Sequence, residues 1–269
     1  MLLGIWANLT GEVSFAGLAP GYSGLYQVNV KLPDSAAYQT LDPLLEISTS
    51  TSRTSQVRLP VGGRAHQTIA SWPADGNARE LISGAVGRLV GNATFATGKI
   101  NQAFNLNGTD SYVQATGITA ISGPRTFTAW VFPKVNTGQG MPIVTGGLAF
   151  AADFLGISGT TGDCSRSGQY HLYIDHWGTA CSISDLVLAP NTWSHIGVTY
   201  DGEFLRFYVN GVPERHLVYG NMYDYSVANF SLGGNGIGGG TTGVSLNGLL
   251  DEIHVFNWAM NESELAALP

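Results

Sequence analysis

The sequence of 269 residues lacks any apolar run long enough to cross a membrane as a helix, and it lacks clusters of lysine or arginine. Only 12 % of the residues are charged, and 12 basic against 19 acidic side chains give a net charge of −7. A nucleic-acid-binding surface needs a basic patch. The composition therefore excludes a nucleic-acid-binding protein, and no membrane span is expected.

Glycine and hydrophobic residues are abundant instead, with 36 glycines and 44 % hydrophobic residues. Such a chain can bury a core, and many glycines with few charges favour short strands joined by tight turns. Residues 127–132, 195–200 and 205–209 alternate between apolar and polar side chains, as strands do. The Asp-Gly pair at 201–202 separates the last two and is a strong hairpin signal. We predict an all-β protein.

The chain has two cysteines, Cys164 and Cys181, in a stretch dense in Gly, Ser and Thr. A pair that flanks a hairpin-like segment predicts one disulfide in an oxidising compartment, with two free thiols as the alternative. The first residues lack the basic start and the long apolar run of a signal peptide. We therefore expect a fragment of a longer secreted protein.

Residues 1–61 contain strand-like runs at 13–15, 25–32, 44–47 and 57–61, fewer than the seven or so strands of an immunoglobulin sandwich. The segment from Phe15 to Val30 resembles the closing half of an Ig-like domain of large secreted bacterial proteins. The resemblance implies a bacterial, extracytoplasmic, multidomain parent. We predict a partial Ig-like β segment at 1–61 and a Gly-rich linker at 62–70.

Four later segments together resemble the concanavalin A-like, laminin G-like family. They are Ser71–Ala78 with Gly91–Phe104, Leu106–Val113, Asn191–Gly211 and Leu246–Phe256. They occur in the family's order and at its spacing. The resemblance implies a concanavalin A-like jelly-roll β-sandwich over 71–269, behind the small N-terminal Ig-like segment. Members of the family are lectin-like and adhesion modules, sialidase accessory domains, glycosidases and polysaccharide lyases, so the fold leaves the function open.

The same resemblance implies a structural calcium ion between the first and the last strand regions. Asp75 and Asp251 match its ligands, and Asn77 adds a further oxygen. Calcium takes six to eight oxygen ligands. Arg79 and Glu80 stand near the place of a second family aspartate, so a site here would lose or relocate a ligand. The alternative is that Asp75 lies in a turn and Asp251 merely begins a strand.

Glycoside hydrolysis needs two carboxylates that flank the scissile bond. The Glu-x-Asp-x-x-Glu pattern of laminarinase-type enzymes of this fold is absent. Asp251 and Glu252 are adjacent, and adjacent residues of a strand point to opposite faces. We therefore assign no catalytic residue and expect no enzyme. The alternative is a glycoside hydrolase or a polysaccharide lyase, and lyases of this fold use a His–Tyr pair of the kind that His171 and Tyr173 offer.

Two clusters combine aromatic rings with polar groups, as carbohydrate sites do. Leu172 and Ile174 are predicted to face the core, which would turn their neighbours outward. The first cluster is His171, Tyr173, Asp175 and Trp177, and the second is the loop with Tyr219, Tyr223 and Tyr225. The alternative is that these rings simply pack over the edge of the sandwich.

The sequence thus predicts an extracellular carbohydrate-binding (lectin-like) or adhesion module of a larger secreted bacterial protein. Its expected partner is a polysaccharide or glycoconjugate, and its expected location is secreted or at the cell surface. The glycan and the oligomeric state are not set by the sequence.

Overall fold

The structure is a computed structural model. It describes residues 2–5, 12–18, 26–31, 44–48, 57–58, 65–118, 121–135, 138–148, 151–161, 164, 170–176, 181–215, 218–219, 222, 224, 228–234 and 244–268. The chain divides into two compact units, residues 1–65 with 261–264 and residues 66–260 with 265–269.

The described residues of the first unit form five strands. They are β1 (Leu2–Ile5), β2 (Glu12–Leu18), β3 (Tyr26–Lys31), β4 (Leu44–Ser48) and β5 (Val57–Arg58). Strands β1, β4 and β5 form an antiparallel sheet in the order β1-β4-β5, and β2 and β3 form a hairpin. The runs predicted from the sequence coincide with β2 to β5, whereas β1 was not predicted.

The described residues of the second unit form sixteen strands, and the residues of the helix α1 (Glu262–Ala266) are divided between the two units. The strands are β6 (Thr68–Trp72), β7 (Arg88–Val90), β8 (Thr94–Thr97), β9 (Gln102–Asn107), β10 (Tyr112–Ile118), β11 (Arg125–Pro133), β12 (Met141–Leu148), β13 (Ala151–Ile157), β14 (His171–His176), β15 (Cys181–Val187), β16 (Ser194–Tyr200), β17 (Phe204–Val209), β18 (Val212–Pro213), β19 (Val218–Tyr219), β20 (Ala228–Leu232) and β21 (Asn247–Phe256). Strand β6 begins at Thr68, within the range 62–70 that the sequence predicts as a linker.

These strands form two antiparallel sheets. One has seven strands in the order β15-β14-β13-β12-β20-β10-β7. The other has nine strands, in the order β18-β17-β16-β11-β21-β9-β8, with β19 paired to β17 and β6 paired to β21. The predicted all-β jelly-roll sandwich is confirmed.

The core lies between the two sheets, and β11 shows why. Phe127, Ala129 and Val131 are buried in the main hydrophobic cluster, as the alternation predicts. From the seven-stranded sheet, Phe230 packs its ring edge-on against Trp72, with centroids 5.3 Å apart. Such edge-to-face pairs add to the hydrophobic stabilisation of a sandwich core.

The nine-stranded sheet also has an outer face, which points away from this core. A second, smaller apolar cluster consists of Tyr208, Phe256, Met260 and Leu265. Phe256 extends from β21, where its neighbour Val255 belongs to the main core. Part of the outer face is therefore covered by the residues that follow β21.

The predicted hairpin between β16 and β17 is confirmed. The carboxylate of Asp201 accepts the backbone N–H groups of Glu203 at 2.9 Å and Phe204 at 2.8 Å. Gly202 between them has φ 115°, which is accessible to glycine at little cost. The local chemistry of this turn therefore sets the register of both strands.

Candidate functional site

The predicted binding face of β14 is largely closed. Leu172 and Ile174 face the core, as the alternation requires. His171 and Tyr173 are buried too, only 8 % and 9 % exposed, which corrects the prediction that they form an open face with Asp175. The Nδ1 atom of His171 lies 2.8 Å from the backbone oxygen of Ser184. The backbone of the neighbouring strand β15 therefore contacts the Nδ1 atom of His171, a side chain that the sequence predicted to bind a ligand.

Tyr173 packs against the backbone of two glycines. Its ring lies over Gly156, where an added Cβ would come within 2.6 Å of the ring, and its hydroxyl lies beside Gly140. Burial, reinforced by the charge of Asp175, raises the pKa of the Tyr173 phenol. A raised pKa keeps the phenol protonated, so little of the phenolate that could act as a base is present.

The other members of the predicted clusters lie at or beyond the limits of the described residues. Trp177, Tyr223 and Tyr225 lie outside them, and Tyr219 is described only as the end of β19. Their assignment to a carbohydrate site stays a prediction.

The predicted disulfide between Cys164 and Cys181 is present, with a Cα–Cα distance of 5.6 Å. Asp175 lies beside it, and its carboxylate and both sulfur atoms are within 4.8 Å of one another. Within the described part of the chain this is the one cluster of three such ligand groups, but the disulfide bond withdraws both thiolates from metal binding.

An open pocket lies where strands of both sheets end. It follows β9, precedes β12 and includes the start of β21. Its volume is about 270 Å³, and its described lining is Gly108, Thr109, Gln139, Gly140, Met141, Val244, Ser245 and Asn247. Hydroxyl and amide side chains dominate this lining, and none of the described lining residues carries a titratable group. The described lining can bind a ligand by directional hydrogen bonds and contains no acid or base.

Ser245 in this pocket is incompletely satisfied. The residue is 3 % exposed, and its hydroxyl oxygen is buried with no hydrogen-bond partner among the described residues. A buried polar group without a partner costs about 1–3 kcal/mol. By contrast, the side-chain amide of Asn247 donates to the backbone oxygen of Val135 at 3.0 Å, which fixes its orientation. The pocket therefore combines a fixed amide with one hydroxyl that lacks a partner.

Sequence reasoning missed this pocket, although a signal was present. Thr109 and Asn247 belong to two of the family-like segments, Leu106–Val113 and Leu246–Phe256. These segments indicated the fold, and the convergence of their ends was not considered.

Asp75 and Asp251, the predicted calcium ligands, converge on the turn between β8 and β9. The carboxylate of Asp251 accepts the backbone N–H groups of Lys99 at 2.9 Å and Ile100 at 3.0 Å. The carboxylate of Asp75 accepts the backbone N–H of Gln102 at 3.2 Å and the side-chain amide of Asn101 at 3.1 Å. The two acids thus join the region after β6 to β21, as the resemblance implies.

The described atoms around these acids do not form a calcium cage. Asp251 also accepts the N–H of Glu252 at 2.9 Å, so its described partners are N–H donors. Asn77 turns away, because its amide donates to the backbone oxygen of Asp75 and its oxygen accepts the N–H of Arg79. Calcium needs six to eight oxygens, and N–H groups cannot supply them. Calcium therefore remains a prediction from the resemblance.

Glu80, near the missing family aspartate, also binds N–H groups. It is fully buried, and its carboxylate accepts the backbone N–H groups of Ser71 at 2.7 Å and Ile82 at 2.8 Å. The side chain of Ser83 donates to the same carboxylate at 2.5 Å. Glu80 thus stabilises the turn after β6 through hydrogen bonds alone.

A β-bulge corrects the prediction that Asp251 and Glu252 point to opposite faces. The register of β21 against β11 shifts between the pairs Thr128–His254 and Trp130–Asp251, and Glu252 has φ 46°. A bulge adds one residue to one strand and interrupts the alternation of side chains. Asp251, opposite Trp130, and Glu252, beside His254, therefore lie on the same outer face of the nine-stranded sheet.

The bulge creates a cluster on this outer face. The imidazole Nε2 of His254 lies 3.3 Å from the carboxylate of Glu252, and the two side chains are 15 % and 12 % exposed. The ring of Trp130 lies 5.1 Å from that of His195, and the ammonium of Lys99 is 4.4 Å from the Trp130 ring. We call these five residues the outer-face cluster. Alternation along β21 places Glu252 and His254 on one face, but it does not place them beside Trp130, His195 and Lys99.

Three side chains of the outer-face cluster have pKa values that are shifted from their usual range. Burial, together with the charges of Asp251 and Asp75, raises the pKa of Glu252 from 4.5 to about 6. Burial, together with His195, lowers the pKa of His254 from 6.5 to about 4. Burial also lowers the pKa of His195. Perturbed groups gathered in one place indicate a functional site, although structural clusters can show the same feature.

Comparison with known protein families places this geometry in context. The sequence model of the concanavalin A-like lectin/glucanases superfamily matches residues 107–266. The chain belongs to this superfamily. A search of the curated proteins finds no match.

Solved structures of the same fold cover most of the chain at low sequence identity. Domain 4 of AbnA, a GH43 extracellular arabinanase from Geobacillus stearothermophilus in complex with arabinotriose, is 19 % identical and has a TM-score of 0.58. The match covers 76 % of this chain and 98 % of that domain. About three quarters of this chain thus match nearly the whole of that domain.

In two further similar structures, only part of the solved chain matches this protein. The Trypanosoma rangeli sialidase is 15 % identical, with a TM-score of 0.53, over 75 % of this chain and 32 % of that one. A botulinum neurotoxin type C structure, described in connection with two ganglioside molecules, is 11 % identical, with a TM-score of 0.54, over 74 % of this chain and 49 % of that one. At these identities the likeness shows the fold alone.

Among the described residues, no helix has the length and hydropathy needed to span a membrane.

Proposed function

We propose that this superfamily member is an extracellular carbohydrate-binding, lectin-like or adhesion module of a larger secreted bacterial protein. The observation that carries the proposal is a pocket of about 270 Å³ whose described lining includes the hydroxyl and amide side chains of Thr109, Gln139, Ser245 and Asn247. A sugar hydroxyl supplies both a donor and an acceptor, so it can pair with groups of either kind. The pocket is somewhat below the usual size of ligand sites, which suits one sugar unit.

The chemistry of the pocket favours binding over bond cleavage. Thr109, Gln139 and Asn247 provide hydroxyl and amide groups, which recognise neutral hydroxyls by direction rather than by charge. Hydrolysis of a glycosidic bond requires an acid and a second carboxylate beside it. The described lining residues provide neither.

The comparisons support the same class of function. The arabinanase domain was solved with arabinotriose, and the neurotoxin structure concerns gangliosides. The disulfide between Cys164 and Cys181 supports an extracellular location, because disulfides persist in oxidising compartments.

The test is a glycan array with the purified chain, in calcium and in chelator, for the wild type and for Ser245→Ala. We expect binding to one class of neutral glycan and a loss of about fivefold to tenfold in affinity for the variant, the worth of one hydrogen bond. Ser182→Ala, which removes a buried hydroxyl of β15 outside the pocket lining, is the matched control. Absence of glycan binding by the wild type would overturn the proposal.

The alternative function is a glycoside hydrolase or polysaccharide lyase. The observation that favours it is the bulge, which brings Asp251 and Glu252 to one face beside His254. The test is turnover of a panel of plant and bacterial polysaccharides, followed by reducing-end release and by absorbance of unsaturated products. Turnover by the wild type that disappears in Glu252→Gln would establish an enzyme. Lack of turnover by the wild type would favour the binding module.

A further inference from the structure

Exposed aliphatic side chains cluster in the connection between β6 and β7. Among the described residues six large hydrophobic side chains are exposed, and three of them belong to this connection: Leu81, Ile82 and Val86, which are 57 %, 53 % and 78 % exposed. We call these three residues the apolar tip. The other three lie in other strands or connections, and they are Val135, Val187 and Val212. Single exposed apolar residues are ordinary, whereas a cluster indicates a surface that meets another apolar phase.

Hydrogen bonds hold the backbone of the apolar tip in place. The backbone N–H of Glu80 donates to the oxygen of Ala85 at 2.8 Å, and that of Leu81 donates to the oxygen of Ser71 in β6 at 2.9 Å. The buried carboxylate of Glu80 accepts the N–H of Ile82 at 2.8 Å. The turn is therefore tied to the sandwich through its backbone, and the exposure of its side chains is built into the fold.

Positive charge accompanies the apolar tip. Arg79 and Arg88 are both exposed, and the guanidinium Nη2 of Arg79 lies 3.6 Å from the place that a Cβ on Gly84 would take. The one carboxylate within residues 79–88 is that of Glu80, which is fully buried and accepts N–H groups. In a chain with a net charge of −7, this stretch thus presents two positive charges and no exposed acid.

The small size of the apolar tip selects the kind of partner. A stable protein interface buries about 800 Å² on each partner and uses about 20–30 residues a side. Three aliphatic side chains provide far less than that. A lipid surface requires no complementary shape, and it takes up a few aliphatic side chains at the boundary between headgroups and acyl chains. Anionic headgroups also attract arginines that lie beside such side chains.

We propose that Leu81, Ile82 and Val86 insert into the surface of a lipid bilayer, while Arg79 and Arg88 bind its anionic headgroups. The protein then lies on the membrane and does not cross it. Attachment through so small a tip is weak and reversible, because its strength scales with the apolar area that is buried and with the charge. This partner differs in chemistry from a glycan, so the inference does not depend on the proposed carbohydrate-binding function.

The double variant Leu81→Ser, Ile82→Ser tests the insertion. Both side chains are exposed, and serine keeps the backbone N–H groups that bind Glu80 and Ser71, so the fold is expected to remain. The matched control is the double variant Val135→Ser, Val212→Ser. It removes two aliphatic side chains of similar exposure, 62 % and 58 %, from other parts of the second unit.

Arg79→Gln tests the role of charge. Arg79 is preferred to Arg88 because the guanidinium of Arg88 also donates to the side chain of Gln114 at 3.0 Å, and its replacement would remove that hydrogen bond as well. Arg215→Gln is the matched control, because Arg215 is an exposed arginine outside residues 79–88.

The probes are vesicles of phosphatidylcholine mixed with phosphatidylglycerol, compared with vesicles of phosphatidylcholine alone, captured on a sensor surface over which the full chain flows. We expect the wild type to bind the anionic vesicles, and high salt to weaken that binding. The double variant Leu81→Ser, Ile82→Ser should lower the affinity at least about tenfold, and Arg79→Gln should lower it about fivefold. Both controls should bind like the wild type.

Each other outcome contradicts the proposal. If the wild type does not bind anionic vesicles, or if removal of Leu81 and Ile82 leaves binding unchanged, the apolar tip does not insert. If the wild type binds both kinds of vesicle equally, the arginines do not bind headgroups. If light scattering shows a dimer that the double variant at 81 and 82 converts to a monomer, a second copy covers the tip instead. The vesicles carry no sugar, so these results are independent of the glycan array.

Discussion

Replacement of Asp251 by asparagine tests the hydrogen-bonded junction between β21 and the turn after β8. In the wild type one carboxylate oxygen accepts the N–H groups of Lys99 and Ile100, and the other accepts that of Glu252. Asparagine retains one acceptor oxygen, so its NH₂ group must face at least one of these donors. We expect Asp251→Asn to lower the free energy of unfolding.

The magnitude follows from the protonation of the acid. Burial raises the pKa of Asp251, while its N–H partners oppose that rise and Asp75 adds to it. Loss of the charge alone is therefore not the main penalty. The main penalty is a buried donor that faces a donor, which costs about 2 kcal/mol. For a chain of this size that loss corresponds to a melting temperature lower by about 4–8 °C.

The assay is thermal unfolding followed by circular dichroism, in chelator and in calcium. Asp110→Asn is the matched control, because Asp110 is exposed and its carboxylate accepts the side-chain amide of Asn107. That control should change stability by less than about 0.5 kcal/mol. If Asp251→Asn melts within about 1 °C of wild type in chelator, the reasoning from N–H donors is refuted.

Binding of calcium at this junction would give a different pattern of melting temperatures in the same experiment. If wild type melts higher in calcium than in chelator and Asp251→Asn does not, then the ion binds at this junction and the predicted ligand role of Asp251 is established. Equal melting of the wild type in both buffers would leave the N–H groups as the partners of this acid.

Two further predictions concern the disulfide and the histidines. Replacement of Cys164 and Cys181 by serine should lower stability by about 3 kcal/mol in the chain-entropy model, measured by denaturant unfolding, and reduction of the wild type should give the same loss; no change in either would contradict it. Because the pKa of His254 falls from 6.5 to about 4 on folding, the unfolded chain binds the proton first, so its contribution to stability is lost as pH falls from about 6.5 towards 4. Glu252 acts oppositely between about pH 4.5 and 6, since its pKa is raised. In this range the free energy of unfolding should therefore fall with rising pH in His254→Gln, and in Glu252→Gln it should rise with pH more steeply than in the wild type. Unchanged pH profiles in both variants would contradict the assignment.

The alternation of apolar and polar residues predicted strands of the sandwich correctly. In β11, apolar residues at every second position predicted the face that carries Phe127 and Val131, and both are buried in the core. The Asp201 turn was predictable for the same reason, since its hydrogen bonds join residues close in sequence. Local chemistry decides such elements, so one sequence suffices.

The candidate sites were less predictable, because they depend on contacts between distant residues. Alternation in β14 correctly turned His171 away from the core, but it could not show that the backbone of Ser184 in β15 contacts its ring. The pocket at Ser245 depends likewise on the ends of β9, β12 and β21 meeting. Contacts between residues so far apart in sequence cannot be predicted from a local pattern. The resemblance to a family indicates only that these strands belong to one fold, not that their ends form a pocket.

The bulge at Glu252 explains why the predicted orientation of Asp251 and Glu252 was wrong. Strand β21 pairs with β9 up to Leu250, opposite Phe104, and with β6 from Ile253, opposite Trp72. The two residues between them lie where one partner strand gives way to the other, and the extra residue there interrupts the alternation of side chains. A change of partner depends on two other strands sharing one edge, so no pattern within β21 could have indicated it. The same irregularity places both Asp251 and Glu252 on the outer face with His254, which strict alternation along β21 would have forbidden.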